Sequence, residues 1–417
     1  MPEVCLYFQI HQPYRLQRFR VFDIGAGVPY FDDAHNQRIV HRVATKCYIP
    51  ANRLLTRLIK ESGGAFRIAM SMSGVLVEQL ARMQLDALDT FRELVATGGV
   101  ELLGETYCHS LAAITSLDEF AVQVDQHTAL MERVFGQRPR VFRNTELILS
   151  DQIASAVRAQ GFDAALIEGA PHILGWREPT YLYESAAVPG LRLLTRHIRL
   201  SDDVAFRFSS RGWDSWPLRA DTFADWLAST PGHCINLFMD YETFGEHQWA
   251  ETGIFDFLAH LPAECRARGL SFTHPSGFAA RLPADRLTIT RPTSWADQER
   301  DISAWLGNDL QHAAHRRLYA MRPLILQAAD ESLYRQWQRL TTSDHFYYMA
   351  TKDHSDGEVH AYFSAYGSPY DAFVRFMNIM EDLEQRARVA TKGRGPASPV
   401  ASGALPDREI AAERVVS

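Results

Sequence analysis

Seven short runs of β-forming residues recur between longer segments of helical periodicity, and this alternation constrains the fold more than any other feature of the chain. The runs are VCLYFQI (4–10), FRIAM (66–70), GVELLGE (99–105), RVFRNTE (140–146), DAALIEG (163–169), LRLLTRH (191–197) and CINLFMD (234–240). They are apolar almost throughout, as strands covered on both faces are. Intervening segments such as LVEQLARMQLDALDTFRELVATG repeat apolar residues at helical spacing. Strand and helix in turn imply parallel sheet, either a βα barrel or an open doubly wound sheet, with the barrel the more economical.

From about Arg291 the strand signal fades and helical patterns take over. In SPYDAFVRFMNIMEDLEQ, Ser368 stands at an N-cap position with Pro369 at the first helical residue, and Phe373, Phe376, Met377, Met380 and Leu383 follow on one face. The expected division is a seven-stranded parallel (β/α) barrel over 1–290, a helical domain over 291–390 completing the substrate cleft, and a disordered tail over 391–417. That tail is rich in small residues and prolines, which bury too little apolar area to offset ordering entropy.

The 417 residues carry a net charge of −7 and no basic run, which argues against nucleic acid as a partner. Glu3 stands where a secretory signal would be positively charged, and no stretch approaches 18 uninterrupted apolar residues, so a soluble cytoplasmic chain without a membrane partner is expected. Cys5, Cys47, Cys108, Cys234 and Cys265 are odd in number and never paired as C-x-x-C, which fits a reducing compartment.

Signatures of serine hydrolases, phosphate loops, zinc helices and dinucleotide folds are missing. Carboxylates remain. Polar clusters follow three of the strand runs, HQP, ETYCH and DYETFGEHQ, and barrel enzymes build their sites at strand C-termini. Glu146 closes one run, with Asn144 and Thr145 placed to hold hydrogen bonds around its carboxylate; a Glu opening the next helix is the plain structural alternative. Strand alternation sets Asn236, Phe238, Asp240 and Glu242 on one face, where clustered acids raise one another's pKa and would help keep Asp240 protonated; here the alternative is an acidic turn closing on Gly245. His312 and His315 have i, i+3 spacing but no third ligand nearby, so no metal site is assigned.

At HQP, GGVE, RNTEL and FMDYETFGEHQW the chain resembles glycoside hydrolase family 57, specifically its α-amylase-type members, and the likeness extends through RLSDDVAFRFSSRGW, SWADQERDISAWLGND and SDHFYYMATK. The resemblance implies a retaining glycosidase acting on α-1,4-glucans such as glycogen, starch or maltodextrins, without a cofactor. It assigns Glu146 as nucleophile and Asp240 as acid/base, with carboxyl groups about 5 to 5.5 Å apart. His11, Glu101, Glu242, Asp301 and Trp305 correspond to substrate-binding positions. Related members include 4-α-glucanotransferases and branching enzymes, and a silent glucan-binding protein is the alternative from another class. One departure stands out: Arg143 occupies a position where some members carry a stacking Trp, and Trp213, Trp216 and Trp249 are candidate substitutes.

Overall fold

The computed structural model describes residues 1–352, 360 and 364–392. From residue 393 the expected tail lies outside the described residues, whereas Thr391 and Lys392 end the last helix.

Ten strands form in the order β1 (Glu3–Ile10), β2 (Ile68–Met72), β3 (Val100–Leu102), β4 (Val141–Phe142), β5 (Ala164–Glu168), β6 (Tyr183–Ser185), β7 (Arg192–Arg196), β8 (Cys234–Asp240), β9 (Ser271–Phe272) and β10 (Asp285–Leu287). Parallel pairing joins β1 to β2, β2 to β3, β4 to β5, β5 to β7, β7 to β8, and β8 back to β1. Between β3 and β4 the ladder runs through Gly104, whose N–H donates to the Val141 carbonyl at 2.9 Å and whose carbonyl accepts from Arg143 at 2.8 Å. A side chain at Gly104 would meet the Phe162 ring at 2.6 Å, so close strand approach there requires glycine.

The ring is therefore closed: a seven-stranded parallel barrel made from the seven apolar runs. The open-sheet alternative falls because β3 meets β4. Outside the ring, β6 runs antiparallel to β7, β10 extends β6, and β9 pairs with the start of β1. Helices Ile49–Glu61, Gly74–Met83, Leu85–Val95, Asp151–Ala159, Ala220–Ser229 and Ile254–Ala267 lie between strands.

Cys5, Tyr7, Ala69, Leu103, Val141, Ala164, Leu166, Leu194, Cys234 and Phe238 fill the lumen as one buried cluster, with every barrel strand contributing. Burying an apolar side chain of this size contributes roughly 1.5–3 kcal/mol, so the lumen is a packed core rather than a channel. The alternation that sends these residues inward carries polar residues inward one step further along each strand.

The chain divides into two compact units. The barrel unit takes residues 1–12, 38–105 and 127–301, and the helical unit takes 13–37, 106–126 and the chain from 302 onward. The helical unit is thus assembled from three segments, where a single C-terminal stretch beginning near 291 was expected. Its core holds Trp305, Leu318, Ile325, Trp337, Phe346 and Phe376. The 106–126 segment is fastened by Glu119, fully buried, which accepts from Arg322 at 3.0 Å and from the Tyr334 hydroxyl at 2.9 Å. The helix Pro369–Lys392 starts as expected, with the Asp371 N–H donating to Ser368 Oγ at 3.1 Å. Its buried face comprises Ala372, Phe376, Ile379, Met380, Leu383 and Ala387, rotated slightly from the expected stripe because Phe373 and Met377 are only partly covered.

No described helix is long and apolar enough to cross a membrane. All five cysteines are buried thiols outside any disulfide.

Candidate active site

At the C-terminal ends of the strands the lumen turns polar. On β1 the inward series Cys5, Tyr7 continues to Gln9. The Gln9 carbonyl accepts from the hydroxyls of Tyr7 and Ser71, each at 2.7 Å, and its amide donates to Glu105 Oε1 at 3.3 Å. Gln9 is also the register partner of Asp240 across the β1–β8 ladder. Asp240 follows Phe238 on the lumen face of β8 and is only partly buried.

Glu242, two residues on, lies in the turn Tyr241–Thr243 and is 5% exposed. Its Oε1 accepts from the Tyr48 hydroxyl at 2.5 Å and from Gln12 at 3.3 Å. Burial first, and the neighbouring Asp240 charge second, push the Glu242 carboxyl up to about 8. Removal from solvent is what makes the charged form of Glu242 costly. Gly245 closes the segment at φ 114, where a Cβ would collide with the Lys46 carbonyl at 2.0 Å.

Glu146 stands beyond the end of β4. The next α-helix begins at Asp151, capped by Ser150 Oγ, and Glu146 lies in the short 3-10 turn Thr145–Leu147. Its backbone is left-handed at φ 58 and so is that of Leu147 at φ 53, a strained pair for residues with a Cβ. Asn144 does not serve the carboxylate in the way its position suggested: its amide spans the turn to the Ile148 carbonyl at 2.8 Å. Trp295 donates to Glu146, its indole N–H reaching Oε2 at 2.8 Å.

That indole joins the two halves of the rim. The Arg143 guanidinium lies 4.7 Å from the ring centre and that of Arg196 5.9 Å. Arg196, on the lumen face of β7, donates to the Phe238 carbonyl at 2.8 Å and interacts electrostatically with Asp240. It also pairs with Glu168 at 3.3 Å and Asp202 at 2.5 Å. Glu146 and Asp240 are therefore linked across one lumen through Trp295 and Arg196.

The remaining candidates separate. His11 lies at the same end of β1, with Nδ1 2.6 Å from Ser73 Oγ. Glu101 does not share this rim: it pairs in register with Ala69 near the start of the strands, and Oε2 accepts the Ser276 N–H at 3.0 Å. Four residues further along the same inward face, Glu105 reaches the polar rim in its place, and it is fully buried. Asp301 ends the barrel unit, its carbonyl accepting from Ser294 Oγ at 2.5 Å. Trp305 belongs to the helical unit, 1% exposed and 6.2 Å from the Tyr347 ring.

Trp249 is 61% exposed under Lys46, Trp216 is 43% exposed, and Trp213 packs edge-on to Trp226. His315 is buried 3.3 Å from the Thr115 hydroxyl, whereas His312 is exposed, so the two do not converge. Among the described residues no group of three His, Cys, Asp or Glu is arranged to hold a metal. Glu105, Tyr48, Arg196 and Trp295 went unseen in sequence; only the alternation in GVELLGE could have pointed to Glu105.

Glu105, Asp240 and Glu242 thus gather at the C-terminal ends of the strands of one closed barrel, the end at which barrel enzymes carry their sites. Residues 5–291 match glycosyl hydrolase family 57, and the chain belongs to that family. It is 43% identical over 396 residues to a protein of Methanocaldococcus jannaschii described as a putative alpha-amylase, covering 91% of this chain and 84% of the relative. Its fold is similar to that of 4-alpha-glucanotransferase from Thermococcus litoralis, with TM-score 0.63 and 12% identity, covering 83% of this chain and 56% of that one. It is also similar to that of a branching enzyme of the same family from Pyrococcus horikoshii, with TM-score 0.63 and 16% identity over 87% of each chain.

Proposed function

We propose that the protein is a retaining α-amylase-type glycosidase that cuts internal α-1,4 bonds of glycogen, starch or maltodextrins. The observation that carries this reading is the linkage of Glu146, beyond the end of β4, and Asp240, at the end of β8, across one lumen of a family 57 barrel. The identity to the archaeal relative supports the α-glucan substrate.

In the first step Glu146 attacks the anomeric carbon while Asp240 donates its proton to the departing glycosidic oxygen. In the second, Asp240 takes a proton from water, which displaces the sugar from Glu146. His11 and Glu242 are assigned to sugar hydroxyls, Glu105 to holding Gln9 at the rim; for Asp301 and Trp305 the support is the motif resemblance alone. A cytoplasmic location is part of this reading, favoured by five buried thiols outside any disulfide.

Incubation with maltoheptaose, resolving product lengths and linkages over time, tests it. Shorter maltooligosaccharides with α configuration at the new reducing end are expected. Longer products would make the protein a transferase, and new α-1,6 linkages a branching enzyme.

A further inference from the structure

We propose that Trp295 and Arg143 are positioning residues for Glu146, an inference that rests on the nucleophile assignment above. The indole N–H fixes one oxygen of the carboxylate and, with it, the plane in which the carboxylate can turn. Arg143 acts on Glu146 through the same indole.

The placement of Trp295 is over-determined by backbone contacts. The Leu149 N–H donates to the Thr293 carbonyl at 3.1 Å, the Thr293 N–H returns to Leu149 at 3.0 Å, and the Trp295 N–H donates to the Glu146 carbonyl at 3.3 Å. Behind it, Arg300 donates to the Trp295 carbonyl and stands 3.9 Å from both Glu168 and Asp202. The loop carrying Trp295 is thus stitched to the left-handed segment at Glu146 without help from the indole N–H. Removing that N–H alone leaves the stitching in place.

Arg143 has no such structural employment. It is fully buried, and Nε, Nη1 and Nη2 all lack a hydrogen-bond acceptor. A buried cation without a hydrogen-bond acceptor opposes folding, and the face of Trp295 is a close compensation for it. A cation over that face draws electron density from the ring and makes the indole N–H a stronger donor to Glu146. A group that weakens the fold while strengthening a contact to the nucleophile is accounted for by function rather than packing.

The test compares wild type, Trp295→Phe and Arg143→Met on maltoheptaose, with thermal unfolding of each. For Trp295→Phe, kcat is expected to fall about 10- to 100-fold with KM held within about threefold. The acidic limb of kcat/KM should move up by about half to one pH unit, since losing a donor to the ionised form raises a carboxyl pKa. Replacement of Trp295 by benzothienylalanine, which keeps the bicyclic shape and lacks the N–H, should reproduce both changes if the Phe variant folds poorly. Arg143→Met should lower kcat in the same direction while Tm stays level or rises.

An unchanged rate and pH profile in these variants of an active enzyme would overturn the inference alone. A rise confined to KM would make Trp295 a sugar platform, and a lower Tm with full activity would make Arg143 structural; either overturns it. Wild type inert on every α-glucan would remove the nucleophile reading first and this inference with it.

Discussion

Tyr48 donates its hydroxyl to Glu242 across 2.5 Å, and Glu242 stands two residues past Asp240 with its carboxyl pushed up to about 8, by burial first and by the Asp240 charge second. Burial disfavours the ionised form of Glu242, and the hydrogen bond from Tyr48 opposes that rise without cancelling it.

Stability should therefore depend on pH through Glu242. Its carboxyl is raised from 4.5 to about 8 on folding, so its contribution is fully present below the unfolded value and is lost as pH rises through the folded one. Glu242→Gln is neutral throughout and should flatten this slope. Urea midpoints at about pH 5 and about pH 8.5 should show wild type losing a few kcal/mol relative to the variant. Parallel pH dependences would show that Glu242 is ionised in the folded protein.

Glu101 and Glu105 should part in their effects. Glu101→Gln disturbs an acceptor of the Ser276 N–H near the start of the strands, so it should cost about 1 kcal/mol of stability with kcat unchanged. Glu105→Gln alters the rim at Gln9 and should lower kcat/KM about tenfold or more. Unfolding curves and initial rates on maltoheptaose distinguish the two, and equal kinetic effects would contradict the placement.

Arg196 and Glu168 form a buried pair, 3% and 0% exposed, beside the Trp295 ring. Arg196→Met leaves Glu168 with the Gly169 N–H at 2.8 Å and the more distant Arg300 at 3.9 Å, and should destabilise by about 3 kcal/mol. The double variant with Glu168→Met should recover most of that loss, because both charges are gone. Denaturant midpoints across the double-mutant cycle measure the coupling, and additive losses would show that the pair is energetically inert.

Much of this was legible in the chain because the barrel is built from local signals. Each apolar run became one barrel strand, since strands covered on both faces must be apolar throughout. Height along the barrel was not legible: Glu101 and Glu105 share a face, and only the register with β2 shows which one reaches the rim. Trp295 was hidden for a different reason. Its bond to Glu146 spans 149 residues and depends on the Leu149–Thr293 bridge, which leaves no periodic trace. The segments 13–37 and 106–126 look like loops following polar strand ends, yet they belong to the helical unit through contacts such as Glu119 with Arg322.

The most direct measurement is chemical capture of the glycosyl group. An Asp240→Ala variant given an activated 5-fluoro-α-glucosyl fluoride should form a covalent adduct slowly and release it more slowly, since the general base is gone. Peptide mass spectrometry should then place one hexosyl unit on the peptide containing Glu146. A label on any other carboxylate, or wild-type cleavage with inverted configuration and no label at all, would contradict the account.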